Sequence, residues 1–186
     1  MKITKSTSAR GFSLVELLAV ITIIVILAAM IMVGMGFVKD KQARSTASVQ
    51  LALLSDALEN YKLDNGVYPA GGEKPNDSNP LYRALYWGDV EDDTEGGAVN
   101  GHKVYLPQLN PDDNPQGWID GSGGSARIVD PWGNEYYYRP GELPDGKVNT
   151  DAWNPDFDLW SAGKDGKTST TDQKDPSNRD DILNKS

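Results

Sequence analysis

The sequence predicts an α+β fold: one very long amino-terminal helix followed by a small, loop-rich head carrying a short antiparallel sheet. Three observations predict it. No proline interrupts residues 12–61, a run far longer than an ordinary globular helix. From residue 66 onward Gly, Pro, Asn and Asp recur every few positions, which marks turns and loops. Within that second part, Tyr136-Tyr137-Tyr138 and Phe157-Asp158-Leu159-Trp160-Ser161 have the composition and alternation of strands.

The helix divides by composition. After Glu16 no charge occurs until Lys39, leaving roughly 22 apolar residues, enough to cross a bilayer core. The preceding residues carry Lys2, Lys5 and Arg10 and no acid, which keeps that end on the cytoplasmic side. A discarded secretory signal is one alternative, but the run is long and no Ala-x-Ala site closes it. A permanent anchor for an unrelated domain is another, and it leaves Glu16 unexplained. A carboxylate in the membrane costs several kcal/mol and is normally paired or functional.

From residue 39 the pattern turns amphipathic. Ala43, Ala47, Leu51, Leu54, Leu58 and Tyr61 recur at steps of three or four and define one apolar stripe. A helix of about 50 residues extends on the order of 75 Å. Gly34 and Gly36 are its weak points and the places for bending in an assembly. Asn65-Gly66 followed by Pro69 is a stop signal.

Leu81-Tyr82-Arg83-Ala84-Leu85-Tyr86 has helical spacing, and residues 70–80, 88–101 and 110–125 read as loops. Asp130-Pro131-Trp132-Gly133-Asn134 predicts a tight turn with Trp132 offered to the core. The strands that follow give a β-meander of two or three strands resting on the helix.

Composition limits the functions available. The chain has 186 residues, a formal charge of −9 and no cysteine. Without the cations of the first ten residues it is three units more negative. Nucleic acid is excluded as a partner, since phosphate binding needs clustered Lys and Arg. No disulfide can staple the head, and its apolar content is thin once the membrane stretch is set aside. His102 is the single histidine, which removes a multi-histidine zinc site. The acids between Asp89 and Glu95 read as a solvated surface run. An EF-hand starting at Asn154 fails, because Leu159 occupies the position that needs glycine. No Ser-His-Asp or Cys-His arrangement is present, so no catalytic residue is assigned and nothing in these residues argues for an enzyme.

Arg10-Gly11-Phe12-Ser13-Leu14-Val15-Glu16 resembles the type III signal of the type IV pilin-like superfamily. Tyr61-Lys62-Leu63-Asp64-Asn65 with Tyr68-Pro69, and Asp130-Pro131-Trp132-Gly133-Asn134-Glu135-Tyr136, resemble the major pseudopilins of type II secretion within it. The resemblance implies a leader over 1–11 and cleavage between Gly11 and Phe12 by a prepilin peptidase, with N-methylation of Phe12. It implies a transmembrane and filament-core helix over 12–38, its amphipathic continuation over 39–65 and a periplasmic head over 66–186. Glu16 is then the assembly residue, paired with the Phe12 amine of a neighbouring subunit. Expected partners are further copies in a homopolymer, minor pseudopilins, an inner-membrane platform driven by a cytoplasmic ATPase, and an outer-membrane secretin.

Ser161-Ala162-Gly163-Lys164-Asp165-Gly166 and Asp180-Asp181-Ile182 resemble the family's calcium loop, here 161–182. Carried over, Asp165, Asp180 and the carbonyl of Ala162 hold calcium, with Asp172 and Asp175 as substitutes for Asp180. Ala162 stands where the family has leucine, the Asp165–Asp180 interval is long, and the closing Asn-Trp is missing. A type IV pilin of a surface fibre is the related alternative. A single-span membrane-anchored periplasmic binding or hydrolase domain is the alternative of another class.

Overall fold

The computed structural model describes residues 12–88 and 102–184, without the side chains of residues 31–35. The expectations for the leader, for Gly11 and for the acidic run between Asp89 and Glu95 lie outside the described residues. The chain divides into two units, Met1–Lys41 and Gln42–Ser186.

Helix α1 runs from Leu14 to Asn65. It is unbroken because nothing in it lacks a backbone donor, and it ends where Gly66 takes a φ of +80°, a conformation that suits glycine. In the first unit the large apolar side chains from Phe12 to Met30, with Phe37 and Val38, are exposed in the single chain. Among the described residues no helix is long and apolar enough to cross a membrane. The expected span includes residues 31–35, whose side chains are outside the description.

In the second unit the stripe does what its spacing requires. Ala47, Leu51, Leu54, Ala57 and Leu58 are buried, and Tyr61 is half-buried against the same core. Helix α2, Asn79–Tyr82, continues into a wider-wound turn over Arg83–Trp87 and contributes Leu81, Tyr82, Leu85, Tyr86 and Trp87. The shortage of aliphatic residues is met by aromatic ones, each of which buries about 150–250 Å². Strands β1 (Ile119–Asp120) and β2 (Arg127–Ile128) form a small antiparallel pair.

The meander has three antiparallel strands in the order β3 (Tyr137–Pro140), β4 (Phe157–Ser161), β5 (Ile182–Leu183). Register sorts its side chains onto two faces. Tyr138 opposite Leu159, and Pro140 opposite Phe157, place Tyr138, Leu159 and Phe157 in the helix-side core. Tyr137 opposite Trp160, and Arg139 opposite Asp158, occupy the other face. There Tyr137 stacks on Trp160 at 4.9 Å, and the Arg139 guanidinium lies over Trp153 at 4.7 Å and Trp160 at 5.6 Å. The connection from β4 to β5 returns across this face: Thr168 accepts from Trp160 Nε1 at 3.0 Å, and the Thr170 carbonyl accepts from Arg139 at 3.0 Å. The long Asp165–Asp180 interval thus supplies bonding partners on the far side of the sheet.

One expectation for the core is corrected. Trp132 is only half-buried and stands outside the main core, whose places here go to Tyr136 and Tyr138. The side chain that this turn buries is Asp130, 1% exposed, which accepts from the Ser161 hydroxyl.

Candidate functional site

Two groups of residues carry chemistry, one in each unit. At the start of α1 the Ser13 carbonyl accepts from the Glu16 and Leu17 amides at 3.0 and 3.1 Å. The Glu16 carboxylate reaches back to accept from the Ser13 amide at 3.4 Å. Ser13-Leu14-Val15-Glu16 therefore has the spacing of a capping box, in which an acid three residues into the helix satisfies a free amide at its start. The positive end of the helix dipole favours a carboxylate at this position. Phe12, immediately before this turn, is 79% exposed. The signal for this capping role in the sequence is the Ser-x-x-Glu spacing itself.

The second group is the loop between β4 and β5. Ser161 pairs with Ile182 across the two strands, so the loop leaves and re-enters the sheet at neighbouring positions. This closure brings Asp165 to Asp180, whose Oδ2 accepts from the Asp165 amide at 3.1 Å. Gly163, at φ +67°, passes so close that a Cβ there would lie 2.4 Å from the Asp180 carbonyl oxygen. Ala162 is fully buried between β4 and this crossing. Asp172 and Asp175 are engaged elsewhere. Asp172 accepts from the Lys174 amide at 2.9 Å, and Asp175 accepts from the Ser177 amide and hydroxyl at 2.8 and 2.7 Å.

Asp181 was missed as a site residue, although it stands in the quoted Asp180-Asp181-Ile182 string. Its Oδ2 accepts from Thr168 at 2.6 Å, while Oδ1 is buried without a hydrogen-bond partner. Burial pushes its pKa up to about 6; the Thr168 hydroxyl opposes the shift, and the charges of Asp180 and Asp165 add to it. Such an orphaned oxygen, on the residue next in the chain to Asp180, suits a cation with oxygen ligands. Among the described residues no three His, Cys, Asp or Glu side chains stand together at metal-ligand spacing, so a cation here would need backbone carbonyls to complete its shell.

Residues 6–32 match the prokaryotic N-terminal methylation motif family. The chain is 32% identical over 164 residues to the type II secretion system core protein G of Escherichia coli K12, covering 88% of this chain and 87% of that protein. It belongs to the core protein G family. The corresponding proteins of Pseudomonas aeruginosa PAO1 and Aeromonas hydrophila are each 30% identical over 162 and 163 residues, covering 87% of this chain and 88% and 87% of theirs. These are the major pseudopilins of type II secretion, and the similarity extends across nearly the whole chain, joining the two stretches whose motifs carried the resemblance.

Proposed function

We propose that this major pseudopilin is held in the bacterial inner membrane by one span, with its head in the periplasm. Prepilin peptidase cuts between Gly11 and Phe12, and Phe12 is N-methylated. The subunit then polymerises with copies of itself into the periplasmic pseudopilus, working with minor pseudopilins, the inner-membrane platform and the secretin. The observation that carries this reading is the methylation motif on residues 6–32 joined to similarity with a secretion core protein over 88% of the chain.

Glu16 sets the stagger between subunits. In the single chain its charge is held by the Ser13 amide, a neutral donor at 3.4 Å. Cleavage creates a cationic amine at Phe12, and an ion pair adds a full Coulomb attraction that the long bond to the Ser13 amide, charged on the acceptor side only, lacks. A neighbour's amine therefore outcompetes the self-cap. Lipid is as apolar as the helix, so close packing and this pair, rather than hydrophobicity alone, select the register.

Calcium would be held by Asp165 and Asp180 with the Ala162 carbonyl, and Asp181 adjoins Asp180 in the chain. Bound there, the ion supplies positive charge that relieves carboxylate repulsion and ties together the two ends of the 161–182 loop. The protein contributes the close crossing of Gly163 over Asp180 and the aromatic face that anchors the middle of the loop.

The experiment is intact-mass and amino-terminal analysis of the subunit purified from inner membranes. N-methyl-Phe12 as first residue is expected. An uncut chain, or a first residue beyond the apolar stretch, overturns the reading.

A further inference from the structure

We propose that the turn at residues 130–134 is the positioning element of the cation loop, with Asn134 and Ser161 as its two contacts. The inference rests on the calcium reading above and names the residues that set the geometry of that site.

The turn closes on itself first. The Gly133 amide donates to the Asp130 carbonyl at 2.9 Å and the Asp130 amide to the Asn134 carbonyl at 2.8 Å. Asp130 Oδ1 accepts from the Trp132 and Asn134 amides at 3.0 and 2.9 Å. This leaves Oδ2 facing the loop, where it accepts from the Ser161 hydroxyl at 2.6 Å. Ser161, itself fully buried, accepts from the Gly163 amide at 3.0 Å. Asn134 Nδ2 donates to the Gly163 carbonyl at 2.8 Å. The backbone of one residue, Gly163, is thus held through its N–H by way of Ser161 and through its C=O by Asn134.

Gly163 is the residue that crosses Asp180, and two residues later comes Asp165, whose amide donates to Asp180. Its orientation fixes where the neighbouring oxygens point. A second close approach lies at Gly166, where a Cβ would be 2.8 Å from Asn134 Oδ1. Partners that hold the backbone between Ala162 and Asp165 in this way control affinity because they orient the ligands on either side before the ion arrives.

The test uses the full chain in detergent micelles. Asn134→Ala and Ser161→Ala should each weaken calcium binding on the order of 10- to 100-fold, and the double variant should lose less than the product of the two. Asn79→Ala is the control: its amide donates to the Gly124 and Ala126 carbonyls, both at 2.8 Å, away from the loop. It should lower the melting temperature and keep the parental affinity. Parental affinity in Asn134→Ala, or equal weakening in Asn79→Ala, overturns the proposal. Amide exchange at Gly163 and Asp165 in chelator provides a metal-free readout. Faster exchange in Asn134→Ala but not in Asn79→Ala is expected; unchanged exchange overturns the positioning role. A parent that binds no calcium overturns the metal reading alone, and the exchange result then decides this one.

Discussion

Truncating Asp158 to alanine removes the acceptor at the centre of the outer sheet face. Its Oδ2 accepts from Arg139 Nε and Nη2 at 3.2 and 3.0 Å and from the Trp153 amide at 2.8 Å. Its Oδ1 accepts from the Asn154 amide and side chain, both at 3.0 Å. Asp158 is 2% and Arg139 7% exposed, so water cannot replace the lost partner. Breaking a buried pair from one side costs about 3–5 kcal/mol, a large part of the 5–15 kcal/mol that holds a typical domain together. For a head of this size that corresponds to a melting temperature lower by roughly 6–20 °C. The assay is urea unfolding of Gln42–Ser186, read by tryptophan fluorescence, with the midpoint expected to fall at unchanged slope. Arg139→Met combined with Asp158→Leu should cost less than Asp158→Ala alone, since no charge is then stranded. A loss below about 1 kcal/mol, the range of an exposed pair, would refute the reasoning.

Three further outcomes are expected. Adding chelator to the head at calcium a hundredfold above its dissociation constant removes about 2.7 kcal/mol, and the Asp165→Ala head should no longer respond to calcium; calorimetry with and without chelator checks both. In chelator, stability should decline as pH rises from about 4 through about 6, because folded Asp181 holds its proton up to about 6 whereas the unfolded chain releases it near the ordinary 3.8; denaturation of the parent against Asp181→Asn isolates this slope. Glu16→Ala should leave membrane insertion intact and abolish or misregister filaments, which fractionation and electron microscopy of the same cells would show.

Much of the fold was legible because it depends on local periodicity and turn chemistry. The stripe through Ala47, Leu51, Leu54 and Leu58 needs only the helical repeat, and Gly66 ends the helix for a reason visible in its own backbone. The strand at Phe157–Ser161 was readable for the same reason. What was not legible depends on partners distant in sequence. Nothing near Trp132 reveals that Asp130 turns inward, because the attraction comes from Ser161, 31 residues away. The two-faced sheet was hidden in the same way, since its outer cover comes from Thr168 and Thr170. Asp181 could not be separated from Asp180 by spacing alone; burial of one oxygen distinguishes it.

The pairing of Glu16 with a neighbour's amine is the centre of the account, and a filament reconstruction resolving side chains tests it most directly. The account predicts the Phe12 nitrogen of one subunit within about 4 Å of the Glu16 carboxylate of the next. A filament in which Glu16 stays on its own Ser13 amide, or faces lipid or solvent without a cation, would contradict it.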